Sequence, residues 1–286
     1  MGTLERKIDF AVVLSVTKAN PNGDPLNGNR PRQNYDGYGE ISDVAIKRKI
    51  RNRLQDMGEA IFVQSNDRKS DSYSSLRERA DANTELSKIL KSKTTSSDEF
   101  AKVACREWLD VRSFGQVFAF KAEKGAGVSV GIRGPVSIHT ATSIDPIDIT
   151  SMQITKSVNS EPGGIKGSDT MGMKHRVDSG VYIFYGSINP QLAEKTGFTN
   201  EDAKRFKNAL VSLFENDASS ARPEGSMEVH KVYWWEHNSK LGQYSSAKVH
   251  RSLTIEKLVE EPKTFEDYNF IVQSLEGLEV VIIDGQ

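Results

Sequence analysis

The sequence predicts an α+β fold in which an antiparallel sheet carries two helices on one face. Strand-like runs and helical periods follow one another in the order strand, helix, strands, strand, helix, strands. Both helical periods begin at a residue type that caps helices, and the runs between them alternate apolar and polar residues. This order is typical of the split βαβ arrangement, the ferredoxin-like core that RNA-recognition (RRM) domains share.

The first part of the chain supplies the opening strand and the first helix. Residues 8–16 are apolar and β-branched, which predicts a buried strand. Residues 20–32 are crowded with Asn, Pro and Gly, so a long loop is expected there. Ser42 is the expected N-cap of a helix that Gly58 ends, and the apolar residues between them repeat at helical spacing.

The rest of the chain supplies the remaining strands and the second helix. Alternating or continuous apolar runs predict strands at 114–122, 128–140, 181–188, 228–236 and 279–284. Thr199 is the expected N-cap of a helix that extends to Asn216, with its apolar residues on one face. These elements complete the predicted sheet and place a second helix on it.

Two stretches interrupt this order, and we expect both to be insertions into one domain that spans residues 1–286. Residues 66–110 are polar, with a firm helical period only over 98–110. Residues 150–179 show no sustained period and place glycines among basic residues, which predicts a long, mobile excursion. The chain length, that of roughly two average domains, is therefore assigned to one elaborated domain.

Charge is balanced over the whole chain but unevenly distributed along it. The 38 Lys and Arg residues and 39 Asp and Glu residues give a formal net charge of −1. Residues 18–53 carry eight basic and four acidic residues, whereas residues 254–286 carry two basic and eight acidic ones. Such a separation suits an anionic ligand, or the association of one face with another face of a second copy.

Composition also predicts the cellular compartment. Cys105 is the one cysteine, so an internal disulfide is excluded. No apolar run approaches the ~18 residues that a membrane-spanning helix needs. We therefore expect a cytoplasmic protein with no membrane contact.

Catalytic and cofactor-binding motifs are incomplete. Gly23–Gly28 has the spacing of a phosphate loop but lacks the Lys and Ser or Thr that should follow, and Asp24 would repel phosphate. Ser129 matches a hydrolase pattern, but strand-like sequence surrounds it where a strand-to-helix turn is needed. We expect no enzyme, no metal and no cofactor. The alternative left open is Mg²⁺-dependent phosphodiester cleavage through Asp24 or Asp36, although turn-forming roles are the simpler interpretation of both residues.

Basic residues around the first helix favour nucleic-acid binding. Lys47 and Arg51 are i, i+4 neighbours beside the apolar stripe, and Ser42 marks the positive N-terminal end, where phosphates bind well. The Asn and Arg side chains of the first loop arrive at the same end. The segment 171–176 adds a Lys-His-Arg triplet beside two methionines, which can insert between bases. A sheet, a basic groove and a protruding arm predict that single-stranded nucleic acid is held by its backbone.

An ordered set of motifs resembles one known family. The motifs are Asn20-Pro-Asn-Gly-Asp-Pro, Val111-Arg-Ser-Phe-Gly-Gln, Arg133-Gly-Pro-Val, Ser143-Ile-Asp-Pro-Ile, Val177-Asp-Ser-Gly-Val-Tyr-Ile-Phe-Tyr-Gly and Tyr233-Trp-Trp-Glu-His. Over nearly its whole length, the chain is similar to the backbone subunit of the type I-C CRISPR surveillance complex, Cascade (the Cas7 family). The resemblance implies an RRM-like palm with a helical fingers insertion at 66–110 and a thumb loop at 150–179.

The resemblance also implies a function. Members of this family bind the guide RNA (crRNA) and polymerise head to tail along it, together with other Cascade subunits. The assembly presents the guide for pairing with complementary target DNA in antiviral defence. The nuclease alternative corresponds to the related type III backbone subunits, which cleave RNA.

Residue roles follow from the resemblance by position. Ser42, Lys47 and Arg51 match the family's RNA-backbone contacts, and the first loop and the glycine-rich segment after Arg112 line the same groove by analogy. Met171 or Met173 is the expected thumb wedge. The complete set of expected RNA-binding residues is Asn20, Asn22, Arg30, Arg32, Ser42, Lys47, Arg51, Ser113, Gln116, Lys156, Lys174, His175 and Arg176.

Overall fold

A computed structural model describes residues 2–91, 96–120, 128–155 and 171–286. The strands are β1 (Ile8–Ala19), β2 (Gly23–Asp24), β3 (Arg30–Pro31), β4 (Tyr38–Ile41), β5 (Gly115–Phe120), β6 (Val128–Arg133), β7 (Val136–Ile138), β8 (Ala141–Pro146), β9 (Ile149–Thr155), β10 (Met171–Ile188), β11 (Met227–Glu236), β12 (Leu253–Lys257), β13 (Tyr268–Val272) and β14 (Val280–Asp284). The helices are α1 (Asp43–Asp56), α2 (Leu76–Ala82), α3 (Thr84–Lys91), α4 (Ser97–Glu107), α5 (Leu109–Phe114), α6 (Pro190–Thr196), α7 (Asn200–Val211) and α8 (Ser246–Arg251), with 3-10 turns at Pro25–Asn27 and Phe265–Asp267.

The largest sheet is antiparallel and confirms the predicted fold class. Within the described ranges it has eight strands, in the order β14-β11-β1-β10-β8-β4, and β7 and β9 also pair with β10. Its central strands β11-β1-β10-β8, with α1 after β1 and α7 before β11, have the ferredoxin-like order. Strand β1 is paired along its length with β10, from Ile8 opposite Ile188 to Ala19 opposite Val177.

The two predicted helices pack on one face of this sheet. Ser42 Oγ accepts a hydrogen bond from Ala45 N (3.3 Å), and Thr199 and Asp202 form a capping box at the start of α7. Phe10 of β1 contacts Phe206 of α7, with ring centroids 5.7 Å apart. Both capping predictions are confirmed, and α7 ends at Val211, earlier than the predicted Asn216.

The opposite face of the sheet is also covered, which the sequence did not predict. Helix α8 and the β12–β13 hairpin pack against Ala11, Val13 and Trp235, all of which are buried. The elements between 245 and 278 are too short to produce a clear period in the sequence. RRM domains stack bases on this face of their sheet, so the surface used by those domains is closed here.

A buried carboxylate attaches this second layer to the sheet. Asp9 is fully buried, and its Oδ2 lies 2.8 Å from His237 Nε2 and 3.1 Å from Lys7 Nζ. Gln243 N donates to His237 Nδ1 (3.0 Å), so the imidazole donates to Asp9 through Nε2. Lys7 Nζ also donates to the carbonyl of Tyr244 (3.0 Å).

A second apolar core lies in the part of the chain that includes the expected fingers. Helices α2–α5 and the β5–β6 hairpin bury Phe62, Phe100, Trp108 and Phe118 against one another, with ring centroids 4.6–5.0 Å apart. The predicted helix at 98–110 is two helices, because the backbone becomes extended at Trp108 between α4 and α5. Residues 92–95 lie outside the described part of the chain.

The prediction of irregular structure over 150–179 is wrong for the residues that the structure describes. Strands β9 and β10 form a two-stranded ribbon, from Met171 opposite Thr155 to Val177 opposite Ile149. Much of the ribbon is solvent-exposed on both faces, so its sequence lacks the apolar alternation that identifies half-buried strands. Among the described residues, no helix is long and apolar enough to cross a membrane.

We predict that Asp110→Asn destabilises the fold. Asp110 is fully buried and accepts hydrogen bonds from Phe62 N (2.7 Å), Val63 N (3.1 Å) and Arg51 Nε (2.9 Å), so it joins α1 to the second core. The substitution leaves the guanidinium without its partner, at a cost of about 3 kcal/mol. Urea denaturation measures the loss.

The matched control is Asp81→Asn. Asp81 forms an exposed i, i+4 ion pair with Arg77 on α2, and removing such a pair costs under about 1 kcal/mol. Equal midpoints for the two variants would contradict the role of Asp110.

Candidate nucleic-acid interface

The first loop is ordered by hydrogen bonds within itself. Asp24 caps a 3-10 turn by accepting from Leu26 N (3.2 Å), and it also lies 3.4 Å from Arg32 Nη2. Gly28 and Asn29 adopt left-handed φ values of 58° and 61°, which reverse the chain. Asn20 Nδ2 donates to the carbonyl of Asn29 (2.7 Å) and closes the loop. The loop therefore presents a defined surface.

The loop meets the N-terminal end of α1, as predicted. Asn22 Oδ1 accepts from Ser42 N (2.9 Å), directly before the first turn of the helix. Lys47 Nζ lies 2.8 Å from Asp43 Oδ2, and its side chain is partly exposed. The structure therefore brings together Asn22, Ser42 and Lys47, and the last of these retains access to solvent.

The other basic residues of α1 already have partners inside the protein. Arg51 pairs with Asp110, its side chain is 12% exposed, and its guanidinium lies 4.9 Å from the centre of the Phe114 ring. Arg48 Nη1 donates to the carbonyl of Val63 (2.6 Å). Lys47 is therefore better placed than Arg51 for an external ligand.

Lys49 is the most deeply buried of these cations. Burial lowers the pKa of Lys49 to about 8, and Asp217, with which it is paired, opposes that shift. Its ammonium also lies 5.4 Å from the centre of the Phe214 ring. The charge of Lys49 is therefore used to hold α1 against the segment after α7.

The first loop also meets the base of the β9–β10 ribbon. Arg30 Nη1 lies 2.7 Å from Ser151 Oγ, which lies 2.8 Å from His175 Nδ1. Arg176 Nε is 3.3 Å from Asp178 Oδ1. Lys174 is exposed and forms no ion pair with the described residues. Two regions that are more than a hundred residues apart thus form one polar junction, which we call the loop–ribbon junction (Arg30, Ser151 and His175).

The ribbon presents apolar side chains beside this junction. Alternate residues of a strand share a face, so Met171, Met173 and His175 point to one side and Lys174 and Arg176 to the other. Met171 is 51% and Met173 is 55% exposed. The expected thumb residue Lys156 lies outside the described residues.

The glycine-rich segment contributes less than expected. Ser113 is fully buried and donates to the carbonyl of Leu109 (2.6 Å), so a side-chain contact of Ser113 with RNA is not supported. Gln116 is partly exposed at the start of β5. Between them Gly115 has a φ of 78°, and a Cβ atom there would lie 2.2 Å from the carbonyl oxygen of Ile132. The glycine permits a close approach of two backbones.

The candidate nuclease residues have turn-forming roles. Asp24 is the cap described above, and Asp36 is exposed in a turn where its N–H donates to Asn34 Oδ1 (3.0 Å). In the described ranges, no group of three or more His, Cys, Asp or Glu side chains could hold a metal ion. The geometry of these residues therefore does not favour metal-dependent cleavage.

The structure adds interface residues that the sequence reasoning missed. Ser151 joins the first loop to the ribbon, and only the folded register brings it to His175. Leu26 of the first loop and Tyr35, in the turn that follows β3, are fully exposed. An aromatic residue among turn formers was a visible signal for Tyr35, whereas nothing in the sequence distinguishes Ser151.

The fold and this junction define a class of protein: a ferredoxin-like palm with a second core and a ribbon, and a polar and basic surface where its first loop meets the ribbon. Within that class the chain belongs to the CRISPR-associated protein Cas7 family, whose model matches residues 6–273. The family resemblance seen in the sequence is confirmed, and the type I-C subtype stays a prediction.

Individual relatives are more distant. The CRISPR-associated protein Cas7 of Haloferax volcanii is 26% identical over 234 residues, which cover 77% of this chain and 67% of the relative. A chain of a pre-nicking CRISPR RNA-guided surveillance complex is 15% identical, with a TM-score of 0.48 and coverage of 80% of this chain and 78% of the other. A chain of a second CRISPR RNA-guided surveillance complex is also 15% identical, with a TM-score of 0.44 and coverage of 80% and 68%.

We predict that Lys49 makes stability rise with pH between 8 and 10. The pKa of Lys49 is about 8 in the folded chain, against 10.5 for an unperturbed lysine, so the unfolded chain binds more protons in this window. Deprotonation therefore favours the folded state, by about 2 kcal/mol between pH 8 and pH 10. Urea midpoints of the wild type and Lys49→Met at both pH values measure the effect.

Lys102→Met is the control, because Lys102 is exposed on α4. The comparison is between variants, because burial raises the pKa of the Cys105 thiol and of Tyr233, and these groups lower stability over the same window. The control should keep the pH dependence of the wild type, whereas Lys49→Met should lose about 2 kcal/mol relative to the wild type between pH 8 and pH 10. An identical pH dependence in all three proteins would show that Lys49 makes no such contribution.

Proposed function

We propose that this protein is a guide-RNA-binding backbone subunit of a CRISPR effector complex, without catalytic activity of its own. The loop–ribbon junction carries the proposal, because it joins the first loop, which meets the N-terminal end of α1 through Asn22, to His175 beside exposed methionines. Membership of the Cas7 family supports the same function. The molecule is suited to hold an RNA strand through the sugar-phosphate backbone of the RNA.

A guide must be held without regard to its sequence, so contacts should fall on phosphates and 2′-hydroxyls. Base edges then stay free, because pairing with the target carries the specificity. We use groove for the surface formed by the first loop, the start of α1 and the base of the ribbon. This groove offers hydrogen-bond donors on side chains that are at least partly exposed, namely those of Arg30, Arg32, Lys47 and Lys174.

Because both faces of the sheet are covered, we place the bound RNA in this groove. Helices cover one face and the C-terminal layer covers the other, so no open aromatic platform remains at the centre of the sheet. RNA would then follow the first loop, the start of α1 and the base of the ribbon. In keeping with the family resemblance, we assign the fingers to residues 66–110 and the thumb to residues 150–179.

The exposed methionines suit a wedge at the thumb. Met171 and Met173 lie on the ribbon face that also holds His175, and apolar side chains inserted between bases unstack and kink a strand. A kink repeated at each subunit would divide the guide into short segments. Such segments pair with complementary DNA without full winding of the strands.

Self-association would follow from a head-to-tail contact. Contacts between different surfaces of identical subunits do not close and generate open filaments. The tip of the β12–β13 hairpin exposes Leu258 and Val259 next to Glu260 and Glu261, which form no ion pair with the described residues. This acidic, apolar tip suits a basic surface of the next copy, with the other subunits of the complex at the filament ends.

We predict that Lys47→Ala with Lys174→Ala weakens RNA binding equally for unrelated sequences. Removing two phosphate contacts should lower affinity and flatten the dependence of log K on log salt by roughly 1.4, since each contact with a single strand contributes about 0.7. Filter binding over a range of salt concentrations, with two RNAs of different sequence, measures both effects.

The matched control is Lys102→Ala with Lys195→Ala, which removes two exposed lysines on α4 and α6. The control should bind RNA like the wild type. A double variant of the groove with unchanged affinity and unchanged slope would refute this assignment of the groove.

We predict that the complex assembled on a guide does not cleave complementary RNA in the presence of Mg²⁺. Asp24 and Asp36 have turn-forming roles, so no pair of carboxylates is arranged for metal-dependent cleavage at the described loop. Gel analysis of end-labelled target RNA checks the prediction. Cleavage at regular intervals that disappears in Asp24→Asn or Asp36→Asn would establish the nuclease alternative.

A further inference from the structure

Ser151 is the central residue of the loop–ribbon junction. Its Oγ lies 2.7 Å from Arg30 Nη1 and 2.8 Å from His175 Nδ1. A guanidinium has only donors, so Ser151 Oγ must accept the bond from Arg30. With one lone pair engaged by Arg30, the hydroxyl of Ser151 still has its proton to donate, and His175 Nδ1 lies within hydrogen-bond distance of it.

A hydrogen bond donated by Ser151 selects one tautomer of His175. When Nδ1 accepts a hydrogen bond, the proton of the neutral imidazole is on Nε2. A Cβ atom built on Gly28 would lie 4.0 Å from His175 Nε2, so this nitrogen faces the left-handed turn of the first loop. In this tautomer, His175 presents an Nε2–H donor beside the guanidinium of Arg30. The other N–H groups of that guanidinium have no hydrogen-bond partner among the described residues.

We propose that Ser151 is a positioning residue that holds His175 in the Nε2–H tautomer, so that His175 and Arg30 donate together to one phosphate of the bound RNA. The proposal rests on the proposed function. Two donors on one phosphate give a stronger and more directional contact than either alone. Ser151 itself does not touch the RNA.

A phosphate contact at His175 would also determine where the RNA strand passes the two methionines. Met173 and Met171 lie on the same face of the ribbon as His175, about 7 Å and 14 Å farther along β10 from it. A phosphate held at His175 would therefore be the fixed point next to which a methionine enters the base stack. Ser151 also ties the ribbon to the first loop, so the same residue sets the distance between the wedge and the groove.

Two measurements test the proposal on the full chain. The first is the tautomer of His175 in the free protein, from nitrogen-15 spectra of histidine-labelled protein, with His175→Gln assigning the signals. We expect the Nε2–H pattern in the wild type and in Ser151→Thr, which keeps the hydroxyl, and a mixture of tautomers in Ser151→Ala. Ser137→Ala is the control, because it removes an exposed Ser137–Ser187 hydroxyl contact on the neighbouring β7–β10 pair.

The second measurement is RNA affinity by filter binding. Ser151→Ala should bind roughly fivefold more weakly, whereas Ser151→Thr and Ser137→Ala should bind like the wild type. Combining Ser151→Ala with His175→Gln should lose less than the sum of the two single losses, because the effect of the serine passes in part through the histidine.

Several results would overturn the proposal. They are an Nδ1–H tautomer in the wild type, unchanged RNA affinity in Ser151→Ala, or additive losses in the double variant. If the wild type bound no RNA at all, the proposed function would fail and the phosphate contact with it. The spectra of the free protein would still report the tautomer, so the two failures are distinguishable.

Discussion

Burial of both faces of the central strand β1 is the constraint on which the rest of the structure depends. Phe10 and Val12 point to the helices, whereas Ala11 and Val13 point to the C-terminal layer, and all four are buried. Because neither face is open, a ligand can reach only the loops and insertions at the margin of the sheet. Asp9, buried in the same strand, attaches the second layer and so helps to keep the sheet closed.

The same constraint explains how the basic residues are divided. Buried carboxylates at the margins of the core need cationic partners, since an unpaired buried charge is costly. Arg51 and Lys49 of α1 pair with Asp110 and Asp217, so two of the five basic residues of this helix belong to the internal structure. The cations left for a ligand lie on the first loop, on the exposed side of α1 and on the ribbon. A net charge near zero is therefore compatible with a basic groove.

The ribbon and the first loop depend on each other in this arrangement. The ribbon extends a core strand, β10, beyond the sheet, and the first loop follows the neighbouring strand, β1. Pairing of these two strands therefore brings the loop to the base of the ribbon, where Arg30 reaches Ser151. The proposed RNA contact and the proposed wedge would require a fixed distance between the first loop and the ribbon, and this junction joins those two segments.

The sequence by itself determined the elements whose signals are local. Capping at Ser42 and Thr199, the helical periods that follow, and the succession of strands and helices along the chain depend on residues within a few positions of each other. Only the tertiary structure decided the covered second face, the β9–β10 ribbon, the pairing of Arg51 with Asp110, and the place of Ser151. Each of these depends on contacts between residues far apart in the chain, and no local period or motif reports such a contact.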